Sequence, residues 1–264
     1  MTINSRMTVD IRGRIASLTL CRPDRGNAVD LAFGAELLDA AITLSATSVL
    51  ALIIKSSGPH FSFGGDLKEM AQAESSRSAY LLKLTSSIHT AVSHLAAAPF
   101  VIISAAVGAC AGAGFGLVLA SDLVIAGRSA TFTPAFSAVG LTPDTGVSFH
   151  LPRVVGQRRA AELLLTNRTL DAAQALEWGI LNRVVNDNDL LAEAQCLAEQ
   201  LAQGPAVALA STKRLLASSL PGFQDQLALE SAAIARQGLN SEAREGIGAF
   251  LGKRRPQFAP MSES

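Results

Sequence analysis

Phe61-Ser-Phe-Gly-Gly-Asp-Leu-Lys-Glu-Met70 and Gly108-Ala-Cys-Ala-Gly-Ala-Gly-Phe-Gly116 are the two stretches that decide the fold of this chain. Each follows a short apolar run and opens a helical pattern. Glycine lets bare backbone N–H groups approach a ligand, and the N-terminus of a helix favours negative charge. Two such turns that face one another are able to hold a single oxyanion from both sides.

Each of the two stretches lies within the same order of elements, which is a strand, a glycine turn and a helix. Ala51–Lys55 precedes the first turn, and Phe100–Val107 precedes the second and is apolar enough for a strand buried on both faces. A helix over Leu117–Ala120 and a strand over Leu123–Ala126 follow the second turn. This order predicts an α/β core with parallel strands, in which ligands lie at the carboxyl ends of the strands.

The sequence beyond Gly127 has a mostly helical pattern. Helices are predicted over Gln157–Thr166, Asp171–Trp178, Asp189–Gln203, Ala206–Ala217, Gln224–Arg236 and Glu242–Leu251. The last two carry stripes that are too apolar to leave in water and that we expect to cover the core or a neighbouring subunit: Leu227, Ile234, Ile247 and Phe250. We therefore predict an α/β core over residues 1–199 and a C-terminal helical region over residues 200–264.

Composition excludes several classes of protein. The chain has 264 residues, enough for a full core, and its 22 Lys plus Arg balance 22 Asp plus Glu, which argues against a nucleic-acid or membrane-surface partner. No apolar run reaches the roughly 18 residues of a membrane span, and the N-terminus lacks the apolar stretch of a signal peptide. Cys21, Cys110 and Cys196 are odd in number and far apart, as expected for buried thiols in a reducing cytoplasm.

The glycine turns fit other ligand sites less well. Gly112-Ala-Gly-Phe-Gly116 lacks the full dinucleotide spacing, and no acidic residue ends a strand about 20 residues later to bind a ribose. Neither turn contains the Gly-Lys-Ser/Thr of a phosphate loop. Close packing of a helix on a strand, without any ligand, stays open as an alternative for either turn taken singly.

Five stretches, in the expected order, resemble the enoyl-CoA hydratase/isomerase (crotonase) superfamily. They are Arg22-Pro23 with Asn27-Ala28, Phe61–Met70, Gly108–Asp122, Leu151–Gly156 with the helix after it, and Arg244–Arg254. The likeness runs from about residue 8 to residue 258. It implies a spiral of repeated β-β-α units with a helical C-terminal region that mediates trimerisation, in a homotrimer or a dimer of trimers.

The resemblance also implies a chemistry. Members of the superfamily bind an acyl-CoA thioester and stabilise the enolate at its carbonyl with two backbone N–H groups, which fall on Gly65 and Ala113 here. Fixed donors in a dry site stabilise the negative charge that develops on the thioester oxygen. The same resemblance places the following residues along coenzyme A, with the last reaching its phosphate from a neighbouring subunit: Arg25, Ala28, Phe63, Gly64, Gly65, Asp66, Leu67 and Lys253. A solvated loop cation remains an alternative interpretation of Arg25.

The chain departs from the hydratases at two positions. Those enzymes use one glutamate just after the second glycine turn and another on the strand about twenty residues later, where this chain has Gly116 and Phe136. Neither residue can move a proton, so water addition by the usual pair is not expected. We expect both to line an apolar substrate pocket together with Leu141 and His89.

Asp144 is the acid that remains near this predicted pocket. The residues around it in sequence are mostly apolar: Leu141, Pro143, Val147 and Phe149. An apolar setting raises the pKa of a carboxyl group towards neutrality, as a group that both takes and returns a proton requires. Capping of the helix that starts near Thr145 is the alternative role, and the two roles are compatible.

Two branches of the superfamily resemble this section. Ala135-Phe-Ser137 and Gly140–Asp144 match the ring-epoxide isomerase of phenylacetyl-CoA breakdown and its Δ3,Δ2-enoyl-CoA isomerase relatives, in which the Asp shuttles a proton between carbons. Leu163–Thr169 resembles the 4-chlorobenzoyl-CoA dehalogenase, which uses the matching Asp as a nucleophile, a Trp at position 136 and a His near His89. Because that Trp is missing here, dehalogenation is the less favoured branch, and a helix-face histidine is the favoured interpretation of His89.

The leading hypothesis is therefore an enoyl-CoA isomerase in which Gly65 and Ala113 hold the enolate and Asp144 transfers the proton. The alternatives are a hydratase that relies on Asp144 alone, a dehalogenase-like hydrolase, and a non-catalytic protein that binds acyl-CoA. Apart from the coenzyme A thioester of the substrate, no cofactor is expected. His60, His94 and His150 are too scattered to suggest a metal site, and the chemistry needs none.

Overall fold

A computed structural model of the chain describes residues 5–73, 76–217 and 223–258. The strands within these ranges are β1 Met7–Arg12, β2 Ile15–Leu20, β3 Ala51–Ser56, β4 Val101–Ala106, β5 Ala109–Ala111, β6 Leu123–Gly127, β7 Thr131–Thr133, β8 Leu170–Asp171 and β9 Arg183–Val185. The helices are α1 Leu31–Ser45, α2 Leu67–Gln72, α3 Arg77–Ala97, α4 Ala113–Leu119, α5 Val147–Val155, α6 Gln157–Thr166, α7 Ala172–Glu177, α8 Leu190–Ala202, α9 Ala206–Ala217, α10 Phe223–Gly238 and α11 Ser241–Leu251. Strands and helices alternate as far as β9, and helices follow it, which confirms the predicted α/β class.

Six strands form the main sheet, in the order β1-β2-β3-β4-β6-β9. The pair β1 and β2 is antiparallel, and every other neighbouring pair in this sheet is parallel. The carboxyl ends of β3 and β4 therefore lie at the same edge, and the two glycine turns begin shortly after them. β4 is buried along its whole length, as its unbroken apolar sequence predicts.

A second, three-stranded sheet has the order β5-β7-β8. β5 pairs with β7 in parallel, and β7 pairs with β8 in antiparallel orientation. Sequence patterns do not predict these strands, because two or three residues are too few to show an alternation of period two. Since β5 lies inside the second glycine stretch, this small sheet sets the direction from which the chain enters α4.

Aspartates define the beginning of two helices near the glycine turns. The carboxylate of Asp30 accepts a hydrogen bond from Phe33 N–H at 2.8 Å and caps α1. The carboxylate of Asp66 accepts one from Lys68 N–H at 3.0 Å and caps α2. The second cap fixes the point at which the first glycine turn ends.

Helices α8 and α9 are tied to the main sheet. The ammonium of Lys213, on α9, is buried and donates to the carbonyls of Leu95 and Phe100 at 3.0 Å each. It also pairs with the carboxylate of Asp122 at 2.9 Å. Apolar residues of α8 pack on the sheet: Leu190, Ala194 and Ala198. The division of the chain at residues 199 and 200 stays a prediction.

Helices α10 and α11 present an apolar surface to solvent. Ile234, Ile247 and Phe250 are 74%, 62% and 83% exposed, and Leu227 is 41% exposed. These side chains therefore do not cover the core of their own chain. Contact of this face with a neighbouring subunit stays a prediction.

The described helices include none that is long and apolar enough to cross a membrane. Over the same residues, His, Cys, Asp and Glu side chains form no group of three or more that could hold a metal ion. Cys21, Cys110 and Cys196 carry free thiols, and of these Cys110 is buried.

Candidate active site

The two glycine turns lie side by side and are joined by backbone hydrogen bonds. Ser62 N–H donates to the carbonyl of Ala109 at 3.1 Å, and Ala111 N–H donates to the carbonyl of Ser62 at 2.9 Å. The first turn therefore runs beside β5 as an irregular extra strand. Two segments that are 49 positions apart along the chain, measured from Ser62 to Ala111, become one structural unit.

The loop after β2 holds the first turn from the other side. Val29 N–H donates to the carbonyl of Gly64 at 2.8 Å, and Asp66 N–H donates to the carbonyl of Val29 at 2.9 Å. The carbonyl of Asn27 accepts a further bond, from the hydroxyl of Ser62, at 2.9 Å. These bonds leave the backbone of Gly65 between two fixed neighbours.

Gly64 and Gly114 allow the two turns to approach at the distance of a backbone contact. Gly64 has φ +85°, and a Cβ built on it would lie 2.7 Å from the Ala111 carbonyl oxygen and 3.0 Å from the Ala113 nitrogen. A Cβ on Gly114 would lie 2.6 Å from the Cβ of Ser62. Each turn thus depends on a glycine that faces the other turn.

Gly65 and Ala113, the predicted oxyanion donors, are brought together by this contact. Ala113 is the first residue of α4, where a backbone N–H has no partner inside the helix. Within the described residues, neither N–H donates to a protein acceptor. Ala113 is 4% exposed, and Gly65 is half-buried. Two neighbouring, unused N–H groups in a largely dry setting are the arrangement that a developing oxyanion requires.

Asp144 lies in the turn before α5 and is partly buried. Burial raises the pKa of its carboxyl group above the ordinary aspartate value, and a hydrogen bond from Thr145 opposes this rise. Asp144 does not cap α5, whose N-cap residue is Gly146. Asp144 therefore does not have the helix-capping role that the sequence left open.

Thr145 connects Asp144 to helix α3. Its hydroxyl donates to the Oδ1 atom of Asp144 at 2.8 Å, and its backbone N–H donates to Nε2 of His89 at 3.1 Å. Thr145 is fully buried and has φ +50°, in the left-handed region that a β-branched residue rarely adopts. No sequence pattern indicates this conformation, which is why sequence reasoning missed the residue.

Gly116 packs directly against Thr145. A Cβ built on Gly116 would lie 2.7 Å from the Cβ of Thr145 and 2.9 Å from its carbonyl oxygen. A glutamate at position 116 would require the backbone around Thr145 to move. The chain therefore lacks room for the hydratase glutamate as well as the residue itself.

A cavity of about 570 Å³ opens beside Asp144, between α3, α5 and the end of α9. His89 lies in its wall, so the structure brings these two predicted site residues together. Its other lining residues are mixed in character: Val92, Ser93, Ala96, Pro143, Thr145, Gly146, Ser148, Phe149, His150, Arg153, Leu216 and Ala217. Among these described residues, Asp144 is the only one with a carboxylate side chain.

The other three residues predicted to line the substrate pocket are not in the described lining of this cavity. Phe136 is 8% exposed and belongs to the main hydrophobic core, against which Leu141 also packs. Gly116 is buried within α4. Of the four residues predicted to line the substrate pocket, His89 is the one found in the described wall of this cavity.

The residues predicted to bind coenzyme A are divided between surface and interior. Arg25 is exposed, and Phe63 and Leu67 are 50% and 53% exposed, so all three are open to a ligand. Ala28 is buried and Asp66 caps α2, so these two support the surface. Nearby, a polar cavity of about 450 Å³ is lined by residues that include three arginines: Arg6, Arg22 and Arg25.

Lys253 lies at the end of α11, apart from these residues. It is exposed and has φ +49°. It lines neither of the two cavities described above within its own chain. The contact of Lys253 with phosphate from a neighbouring subunit stays a prediction.

Comparison with known proteins identifies the family. The sequence profile described as enoyl-CoA hydratase/isomerase matches residues 10–260. The chain is 37% identical over 247 residues to the 1,2-epoxyphenylacetyl-CoA isomerase of Escherichia coli strain K12, with 92% of this chain and 94% of that protein covered.

The chain belongs to the enoyl-CoA hydratase/isomerase family. It is an acyl-CoA enzyme of the crotonase type, as the sequence predicted.

Two further relatives show how wide this family is. The chain is 38% identical over 209 residues to 4-chlorobenzoyl coenzyme A dehalogenase-2 of an Arthrobacter species, covering 78% of this chain and 76% of that one. The crystal structure of an enoyl-CoA hydratase from Polaromonas sp. JS666 superposes with a TM-score of 0.92 at 32% identity, covering 96% of this chain and 99% of that chain. The crotonase fold is thereby confirmed, and the family name leaves the reaction open.

The contact between the glycine turns leads to a first prediction. Gly64→Ala is expected to lower kcat/KM towards an enoyl-CoA by about 100-fold, because the added methyl group separates the backbone of the two turns and displaces one donor. Steady-state kinetics and thermal unfolding measure the change.

Gly13→Ala is the matched control. Gly13 also has positive φ, at +60°, but a Cβ there meets nothing within 4 Å. This variant should lose about 1 kcal/mol of stability for backbone reasons and keep its activity. A Gly64→Ala enzyme as active as the control would contradict the requirement for close approach.

Proposed function

We propose that the protein is an enoyl-CoA isomerase that shifts a carbon–carbon double bond through an enolate. The observation that carries this proposal is Asp144, a carboxylate of raised pKa beside a cavity with both apolar and polar walls. A group that takes a proton from one carbon and returns it to another needs such a pKa. The two positions that hold glutamates in hydratases hold Gly116 and Phe136, so a second acid or base for water addition is missing.

The reaction follows from these groups. Asp144 takes a proton from C2 of a 3-enoyl thioester, and the electron pair of that C–H bond moves towards the carbonyl, giving a dienolate. The N–H groups of Gly65 and Ala113 stabilise the charge on the thioester oxygen. Asp144 then returns the proton to C4, and the double bond lies between C2 and C3. The substrate and product are isomers, so no cofactor beyond the coenzyme A thioester is required.

The surface before the first glycine turn suits the coenzyme A portion of the substrate. Arg25 and the exposed Phe63 offer a cation and an aromatic face to this part of the substrate. Arginine binds phosphate groups in a bidentate manner. The acyl group would then enter the cavity beside Asp144, whose walls suit an aromatic or a medium-length aliphatic chain. We place this activity in the cytoplasm, consistent with three free thiols.

A dehalogenase-like hydrolase is the second candidate, and the observation that favours it is His89 in the same cavity wall as Asp144. In such an enzyme Asp144 would attack an aryl carbon instead of a C–H bond. Phe136 offers no N–H to hold the carboxylate for this attack. Release of chloride from 4-chlorobenzoyl-CoA distinguishes this reaction from isomerisation.

The proposal is tested with 3-enoyl-CoA and 2-enoyl-CoA substrates. The wild-type protein is expected to interconvert them, and Asp144→Asn is expected to lower kcat by about 1,000-fold, because general acid–base catalysis supplies 10²–10⁴-fold in rate. Product analysis by chromatography measures both. Ser148→Ala, which alters another residue of the cavity wall, should keep most of the activity.

Turnover by Asp144→Asn at the wild-type rate would exclude the proposed proton shuttle. Binding of a broad panel of acyl-CoA thioesters without turnover of any of them would favour a non-catalytic binding protein.

The raised pKa of Asp144 also predicts a pH-dependent difference in stability. Because the folded-state pKa lies above the unfolded value, ionisation of the carboxylate destabilises the native state. This destabilisation is complete at pH values above the raised pKa and absent at pH values below the ordinary pKa. Asp144→Asn lacks this charge but keeps an acceptor for Thr145. The variant should therefore have the higher Tm at pH 7, and its advantage should shrink as the pH falls towards 4.

Thermal unfolding of both proteins across this range measures the difference. The titratable and charged groups that face Asp144 are His89 from α3 and His150 and Arg153 from α5, and they are common to both proteins. A Tm difference that is independent of pH would contradict the burial of the ionised carboxylate.

We also propose that the enzyme is a homotrimer, or a dimer of trimers, assembled through α10 and α11. Exposed Ile234, Ile247 and Phe250 support this, since an apolar face of this kind is unfavourable in water. Phe250→Asp is expected to shift the protein from trimer to smaller species in light scattering after size exclusion. Leu165→Asp, on an 80% exposed residue of α6, is the control and should remain assembled. A wild-type monomer would exclude the proposal.

A further inference from the structure

Thr145 occupies an unusual position beside the proposed acid, and the reaction described above makes no use of it. It is fully buried and lies in the left-handed region of backbone conformation, where its branched side chain is disfavoured. Strained residues of this kind persist only when their surroundings hold them, and they are concentrated at functional sites.

Two contacts fix the residue from outside its own turn. Nε2 of His89, on α3, accepts the backbone N–H of Thr145 at 3.1 Å. Gly116, on α4, packs against the Cβ and Cγ2 atoms of Thr145, which a Cβ on that glycine would approach to 2.7 and 2.9 Å. Backbone and side chain are thus held separately, by two helices that approach from different parts of the chain.

The third contact is the one that Thr145 makes with the acid. Its hydroxyl donates to Oδ1 of Asp144 at 2.8 Å. Over the described residues, no other side chain or backbone group donates to this carboxylate. Phe136 lies in the core close by in sequence and has no donor to offer. The direction of the carboxylate therefore depends on the conformation of Thr145.

We infer that Thr145 is a positioning residue that orients the carboxylate of Asp144 for proton transfer, and that His89 acts through Thr145 by holding its backbone. The inference rests on the proposed function, because it concerns the acid of that reaction. His89 accepts a hydrogen bond through Nε2, so it serves this role in the form that carries no proton on that nitrogen. It needs no contact with the substrate.

The test compares variants that keep or remove each contact, assayed as isomerases with 3-enoyl-CoA. Thr145→Val keeps the shape and removes the hydroxyl, whereas Thr145→Ser keeps the hydroxyl. Thr145→Val is expected to lose about tenfold in kcat, the size expected for one hydrogen bond to a charged group, with KM nearly unchanged. Thr145→Ser should stay within about threefold of the wild type.

The pH profile provides a readout that a merely structural role would not change. The bond from Thr145 stabilises the ionised carboxylate, so its loss raises the pKa of Asp144 further. The acidic limb of the kcat/KM profile should therefore move to higher pH in Thr145→Val and remain in place in Thr145→Ser. His89, His150 and Arg153, the other groups facing Asp144, are unchanged in both variants.

His89 is tested by rescue. His89→Leu removes the acceptor and is expected to lower kcat in the same way as Thr145→Val, whereas His89→Gln supplies a carbonyl oxygen that can accept the Thr145 N–H and should recover much of the rate. Because His89 is exposed, these variants remain informative if Thr145→Val fails to fold. Thr166→Val, at an exposed position on α6, controls for the substitution itself.

The outcomes separate this inference from the proposed function. An active Asp144→Asn enzyme would exclude Asp144 as the proton shuttle and so exclude the proposed function. If Asp144→Asn is inactive but Thr145→Val and His89→Leu both match the wild type in kcat and in pH profile, Asp144 is the acid and the positioning role is wrong. Equal losses of kcat in Thr145→Val and Thr145→Ser would assign the effect to packing and would also overturn the positioning role.

Discussion

The approach of two backbone segments, at Gly64 and at Ala111–Ala113, is the contact on which the rest of the site depends. A Cβ at position 64 would fall within 3.0 Å of both the Ala111 oxygen and the Ala113 nitrogen, so the separation of the turns is set by the absence of a side chain. The parallel strands β3 and β4 deliver both turns to one edge of the main sheet. The sheet brings the two turns to the same edge, and the glycines allow their backbones to come into direct contact.

An oxyanion site built from backbone N–H groups has a consequence for the family. In the proposed mechanism Gly65 and Ala113 contribute through their main chain, so substitutions around them can change the reaction without removing the stabilisation of the thioester oxygen. Relatives at 37% and 38% identity are named as an isomerase and a dehalogenase, which fits this division of roles. In the proposed mechanism, the identity of the reaction then depends on residues 116 and 136–145, which include Asp144 and Thr145.

The sequence predicts those parts of the molecule whose causes are local. The apolar run of β4 and the helices α6 and α9 agree with their predicted bounds or nearly so, because hydrophobic periodicity acts within a few residues. The strands of the small sheet and the role of Thr145 were not predictable in this way. They depend on partners far along the chain, such as His89 for Thr145, and no local pattern records such a contact.

Gly116 links the missing hydratase chemistry to the acid that is present. A glutamate at this position would need the space that Thr145 fills, and Thr145 is the residue that donates to Asp144. Losing one acid and orienting another are therefore a single structural change rather than two independent ones. Restoring a glutamate at position 116 alone would displace Thr145 and leave Asp144 without its donor. In the proposed mechanism, a change to hydratase chemistry therefore requires coupled substitutions in α4 and in the turn before α5.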